Sequence, residues 1–216
     1  MALRRLLLTA SVALVCTAGV AKADTIATLD LSSHSSDATP AAWLLATFTF
    51  TVSAGGTHLD LTVTNNTSNL FGTYDINEIY FNGPGGGLTL TEVGTLSGWG
   101  PGPLVSSDNA DGFGVFDFAM HDVGGSPNAI SAGASLVFHF AIGNGTATAS
   151  DFVDNFSTIP PGDTPSLIAA KFIHGPVSPD SPDGDDSAYG ALIPLPPALP
   201  MGLVGLLGVV FFRRRK

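Results

Sequence analysis

In TFTFTVSAGGTHLDLTVT, residues 47–64, apolar and polar side chains alternate strictly on either side of a glycine pair. Phe48, Phe50 and Val52 share one face of the first run, and Thr47, Thr49 and Thr51 share the other. Leu59, Leu61 and Val63 repeat the pattern in the second run. A period of two belongs to a strand with one buried face, because successive Cβ atoms point to opposite sides of the pleat. Gly55-Gly56 allows a tight reversal, so the stretch predicts an antiparallel hairpin.

INEIYF (76–81), LTLTEV (88–93), FGVFDFAM (113–120), SLVFHFAI (135–142) and LIAAKFIH (167–174) are further strand candidates, with TIATLDL (25–31) ahead of them. Joints such as Gly83-Pro84-Gly85-Gly86-Gly87 separate the runs, and no helical period holds before the C-terminal tail. With 26 Gly and 15 Pro in 216 residues, the composition suits short strands joined by turns. The expected fold class is all-β: an antiparallel β-sandwich, jelly-roll or immunoglobulin-like, of about seven to nine strands. Residues 24–177 are assigned to it, and 178–192 to an acidic linker rich in Pro and Asp.

The net charge of −10 conceals a partition: all 18 carboxylates lie between Asp24 and Asp186, where Lys171 is the only Lys or Arg. That region alone carries −17. Such a field repels phosphate backbones, which excludes nucleic acid as a partner. The single cysteine, Cys16, lies in the first apolar run, so removal of that run leaves no thiol for a disulfide or a zinc site.

Both ends of the chain read as addresses. Arg4 and Arg5, the apolar run Leu6–Val20 and the small-x-small triplet Ala21-Lys22-Ala23 compose a signal peptide over 1–23, with Asp24 as the new N-terminus. Signal peptidase and the secretion translocon are the implied partners. At the other end, Leu199–Phe212 is apolar all round. Its 14 residues would make a helix of about 21 Å, against the ~30 Å of a relaxed bilayer core. Arg213, Arg214, Arg215 and Lys216 would stop transfer and stay cytoplasmic, placing the acidic domain outside. Pro194, Pro196, Pro197 and Pro200 keep residues 193–200 extended, a form that a protease can grip.

Motif, short transmembrane helix and basic end, together residues 193–216, resemble the PEP-CTERM family of bacterial sorting signals, in the branch with a Val-Pro-Leu-Pro-Ala motif. Here the motif reads Ile193-Pro194-Leu195-Pro196-Pro197, differing at its first and fifth positions. The resemblance implies that a membrane-embedded exosortase recognises Pro194, Leu195, Pro196 and Pro197 and cuts or transfers the chain nearby. It further implies an inner-membrane intermediate in a Gram-negative bacterium, then delivery to the outer surface or extracellular matrix, within an exopolysaccharide or biofilm layer. The middle of the chain, through ADGFGVFDFAM, SAGASLVFHFAIGNG and LIAAKFIHG, also looks like domains that precede this signal. A permanent short anchor is the competing reading of the tail.

Candidate chemistry is sparse. Asp180, Asp183 and Asp185, around Gly184, offer hard oxygen ligands on a flexible turn and form a weak calcium candidate; an exposed acidic linker is the favoured reading of the same residues. Asp108, Asp111 and Asp117 read as a turn plus a solvated strand face, and the five histidines as scattered surface residues. Trp43 and Trp99 could stack on sugar rings, Trp99 in SGWGPG being the better placed of the two, but buried packing is the favoured reading of either. No Gly-x-Ser-x-Gly elbow, phosphate loop or His-Glu-x-x-His occurs. The expected role is therefore not enzymatic and needs no cofactor, calcium aside. It is structural or adhesive, with polysaccharide as the candidate partner. A lectin-like, calcium-assisted carbohydrate-binding module is the alternative, and a secreted hydrolase the third reading.

Overall fold

The computed structural model describes residues 24–31, 34–35, 44–67, 74–94, 99, 104–122, 128–159, 163–175 and 187–193. The expected signal peptide with Ala21 and Ala23, the motif residues Pro194 to Pro197, the run expected to cross the membrane, Arg213 to Lys216, and Asp180, Asp183 and Asp185 lie outside the described residues.

The strands are β1 (Thr25–Leu31), β2 (His34–Ser35), β3 (Ala46–Val52), β4 (His58–Asn65), β5 (Asp75–Phe81), β6 (Thr89–Glu92), β7 (Leu104–Ala110), β8 (Gly114–His121), β9 (Ser135–Gly143), β10 (Ile168–Ile173) and β11 (Ala188–Leu192). A short 3-10 helix spans Ala149–Phe152. Two antiparallel sheets result, with orders β1-β3-β4-β9-β6 and β2-β11-β10-β5-β8-β7.

The hairpin forms as its pattern predicts. Phe48 pairs with Val63, Phe50 with Leu61 and Val52 with Leu59, and all six side chains are buried. Gly56 turns the chain at φ +69°, and a Cβ there would sit 2.8 Å from the Ala147 carbonyl oxygen, so only glycine fits. Phe138 and Phe140 of β9 extend the apolar face on the far side of β4. The second sheet answers with Ile76, Ile79, Phe81, Ile168 and Phe172. Phe50 meets Phe81 edge-on at 5.8 Å and stacks on Phe152 at 5.8 Å, while Phe81 stacks on Phe118 at 5.5 Å. These rings join the sheets face to face, the arrangement of a sandwich with its core between the layers.

Register fixes which loops share an end. Ala54 N–H donates to the Asp24 carboxylate at 2.8 Å, Ala147 N–H to the Gly56 carbonyl at 3.0 Å and Asn144 Nδ2 to the Gly87 carbonyl at 3.3 Å. Ile168 stands opposite both Leu192 and Phe81. The start of β1, the β3–β4 turn, the 82–88 loop and the exit of β11 thus lie at one end. Asn65 marks the other end: fully buried, it donates from Nδ2 to the carbonyls of Tyr74 and Ile130, each at 2.8 Å, and ties the end of β4 to the start of β5 and to the bridge residue Ile130.

Three strands exceed the expectation: β2, β7 and β11. Ala188–Leu192, assigned to the linker, is instead a strand of the second sheet paired residue by residue with β10, so the folded domain runs on to Leu192. Its residues AYGAL are small and alternate weakly, and they follow an acidic run that masks them.

Candidate functional site

On the outer face of the six-stranded sheet, five side chains form a row across five strands. Glu78 of β5 stands opposite both His121 of β8 and Lys171 of β10, and Lys171 stands opposite Tyr189 of β11. Asp108 of β7 closes the row, its carboxylate 2.7 Å from His121 Nε2. A bulge makes the row possible. The β10–β5 register slips between Lys171 and Phe172, leaving Asn77 as an extra residue, so Ile76 turns into the core while Glu78 turns out.

Glu78 is the hub. One carboxylate oxygen accepts a 2.8 Å hydrogen bond from Lys171 Nζ. The other accepts the Tyr80 hydroxyl and lies 3.8 Å from His121 Nδ1. Its side chain is only 15% exposed, so the charge is held largely away from water and the pairing with Lys171 is what makes that burial tolerable. Burial pushes the Tyr80 phenol well above its ordinary range, and the Glu78 carboxylate, as partner and as charge, pushes it further. Tyr189 rises for the same two reasons, burial and then the Glu78 charge. Burial acts downward on Lys171, but its hydrogen bond to Glu78 and that charge outweigh it, so its pKa is raised.

Aromatic rings frame the polar row. Tyr80 packs edge-on to His121 at 5.8 Å and against Tyr189 at 6.1 Å and Phe116 at 5.9 Å. Alanines at 119, 169 and 191 leave room for these rings on the outer face, making a second small core there. Lys171 Nζ lies 5.8 Å from the centre of the Tyr189 ring, which stays half-buried. Chemically the row presents donors and acceptors beside an aromatic face. Glu78 is already held by two donors, so it is a positioned acceptor rather than a free base.

Sequence reading missed this row because its members come from five separate strands. His121, read as following a strand, is the last residue of β8 and pairs with Asp108; Asp108, read as part of a turn, belongs to β7. Asp111 does lie in the β7–β8 turn, and Asp117 is exposed on β8 with its carboxylate accepting the Gly83 N–H at 3.1 Å. Among the described residues, no group of three or more His, Cys, Asp or Glu could hold a metal ion. Trp99 follows the favoured reading, buried packing, and sugar stacking is set aside. It is fully buried, packs edge-on to Phe138 at 5.0 Å and donates from Nε1 to the Asn128 carbonyl at 2.9 Å, so it cannot stack on a sugar.

A separate open cleft of about 270 Å³ lies where the edge strands β6 and β7 approach, between Leu88, Leu90, Leu104 and Phe118. Its neighbour at the Gly85–Gly87 loop has the Asp117 carboxylate at its rim. Among the described residues no helix is long and apolar enough to cross a membrane. Comparison with protein-family models, with curated proteins and with solved structures finds no significant match.

Proposed function

We propose that this chain is an exported, acidic β-sandwich protein, held at the inner membrane by its C-terminal run, processed by an exosortase and used as a structural or adhesive component of an exopolysaccharide layer. One observation carries the reading: a folded β domain ends at Leu192 and passes at once into Ile193-Pro194-Leu195-Pro196-Pro197, a short apolar run and four cations. Signal peptidase would cut before Asp24. The sandwich is of the jelly-roll kind on this reading, since the chain changes sheet at β1–β2, β2–β3, β4–β5, β5–β6, β6–β7, β8–β9 and β9–β10. Mass spectrometry of the mature protein from its native host tests the proposal. A chain that begins at Asp24 and lacks Leu199–Lys216 is expected; an intact chain that keeps Arg213–Lys216, whether or not the processing enzyme is present, overturns it.

The second reading, a carbohydrate-binding module, is favoured by the Glu78–Lys171–Tyr189 row, which sets hydrogen-bonding groups beside a half-buried ring. It takes the place of Trp99 in that reading. Saturable glycan binding lost in Tyr189→Ala and kept in Trp43→Ala supports it; binding unchanged in Tyr189→Ala removes it. Calcium at Asp180, Asp183 and Asp185 belongs to the same proposal as an assisting ion.

A further inference from the structure

We propose that the end of the sandwich bearing Asp24 and Leu192 is the membrane-proximal face of the tethered protein, and that a lipid surface is what it faces. The inference rests on the reading above that residues 199–212 enter the bilayer. Three observations lead to it. First, the two ends of the domain leave at the same pole. Asp24 is bonded to Ala54 in the β3–β4 turn, that turn is bonded through Gly56 to Ala147, and Leu192 stands in register with Ile168 and hence with Phe81 at the mouth of the 82–88 loop.

Second, the tether is short. Six residues, 193–198, separate Leu192 from Leu199. At ~3.6 Å per residue they span at most about 22 Å, less than the ~30 Å length of a nine-residue strand such as β9. The domain cannot rotate its far end to the membrane on such a tether. Because β11 is hydrogen-bonded along its length to β10, that distance cannot grow by peeling unless the sheet gives way.

Third, apolar side chains stand exposed at this pole. Ile26 follows Thr25 at the start of β1, Phe156 adjoins the Asn155 amide that donates to the Gly83 carbonyl, and Ile159 adjoins Thr158, which bridges to Val115. Residues of this type settle at the headgroup boundary. Asp24, Asp111, Asp117 and Asp154 stand among them, and no Lys or Arg of the described residues does. The tether therefore positions the pole, and anionic lipid pushes against it. The Glu78–Lys171–Tyr189 row sits near the middle of the outer face of the six-stranded sheet, on the flank between the two poles.

The chain supplies a clean test, because Cys16 is its only cysteine. Full-length protein carrying Cys16→Ser is given a single cysteine at Gly85→Cys, where a side chain meets nothing within 4 Å, or at Ser131→Cys near the Asn65 end. Each is labelled with a fluorophore and reconstituted in phosphatidylcholine vesicles with and without headgroup-quencher lipid. Several-fold stronger quenching at residue 85 than at residue 131 is the expected result. Equal quenching, or the reverse order, in protein that floats with the vesicles overturns the orientation and leaves the membrane reading standing. Protein that does not float at all overturns the membrane reading and the orientation with it.

Discussion

At the scale of single residues, the outer-face row makes a pH prediction whose sign follows from its members. Tyr80, Tyr189 and Lys171 are all held above their ordinary pKa values in the folded state. A group raised on folding binds its proton more tightly in the native chain than in the unfolded one. Its stabilising contribution is therefore complete below the unfolded value, about 10 for tyrosine and 10.5 for lysine, and is lost as pH rises beyond it. For Tyr80 the native phenol stays protonated while the unfolded one ionises, so stability falls by about 1.4 kcal/mol per pH unit above pH 10 from that group alone. Thermal melts between pH 8 and about pH 11 should show a steep fall in Tm beginning near pH 10. Tyr80→Phe should lower the Tm at pH 8, by loss of the bond to Glu78, and flatten the alkaline fall. A wild-type Tm that is level across this window would show that the row is not held as described.

At the scale of elements, the strand that sequence reading left out is the one with the largest consequence. β11 covers the edge of β10, whose Ile168, Ala169, Ala170 and Phe172 are fully buried, and it carries β2 on its other side. A chain ending at Ser187 exposes a long apolar edge strand, the template for aggregation. Such a truncation should yield insoluble or associating protein, whereas a chain ending at Ile193 should melt cooperatively as a monomer. Equal Tm values for the two would return residues 188–192 to the linker. What made the other elements legible was contrast. TFTFTV and HLDLTV set large apolar residues against threonines, so a strict period survives in the sequence. β7, LVSSDNA, lies at a sheet edge, buries little, and contains Ser107 at φ +59°, which interrupts the alternation. β11 pairs small residues against a neighbouring strand of alanines, where burial needs no bulk. The candidate site was hidden for a different reason: the β8–β5 and β5–β10 pairings that set His121 and Lys171 beside Glu78 join strands that are not consecutive, and no spacing along the chain encodes them.

At the scale of the whole molecule, negative charge prevails, and no single contact balances it. The region from Asp24 to Asp186 carries 18 carboxylates, and its one cation, Lys171, is committed to Glu78. Like charges spread over so small a body repel one another and weaken the compact state. Salt should relieve this, because the screening length falls from about 30 Å at 0.01 M to about 10 Å at 0.1 M ionic strength. The expected outcome is a Tm that rises over this range and levels once the screening length is shorter than the spacing of the carboxylates. Calcium separates two causes of any further gain. If it acts only as a counterion, magnesium at the same ionic strength does as much. If Asp180, Asp183 and Asp185 form a site, calcium exceeds magnesium and Asp183→Asn removes the excess while leaving the sodium chloride response intact. A Tm indifferent to salt would mean that the carboxylates lie too far apart to repel, and the case for charge as the property that divalent cations and an acidic polysaccharide would act upon would fall with it.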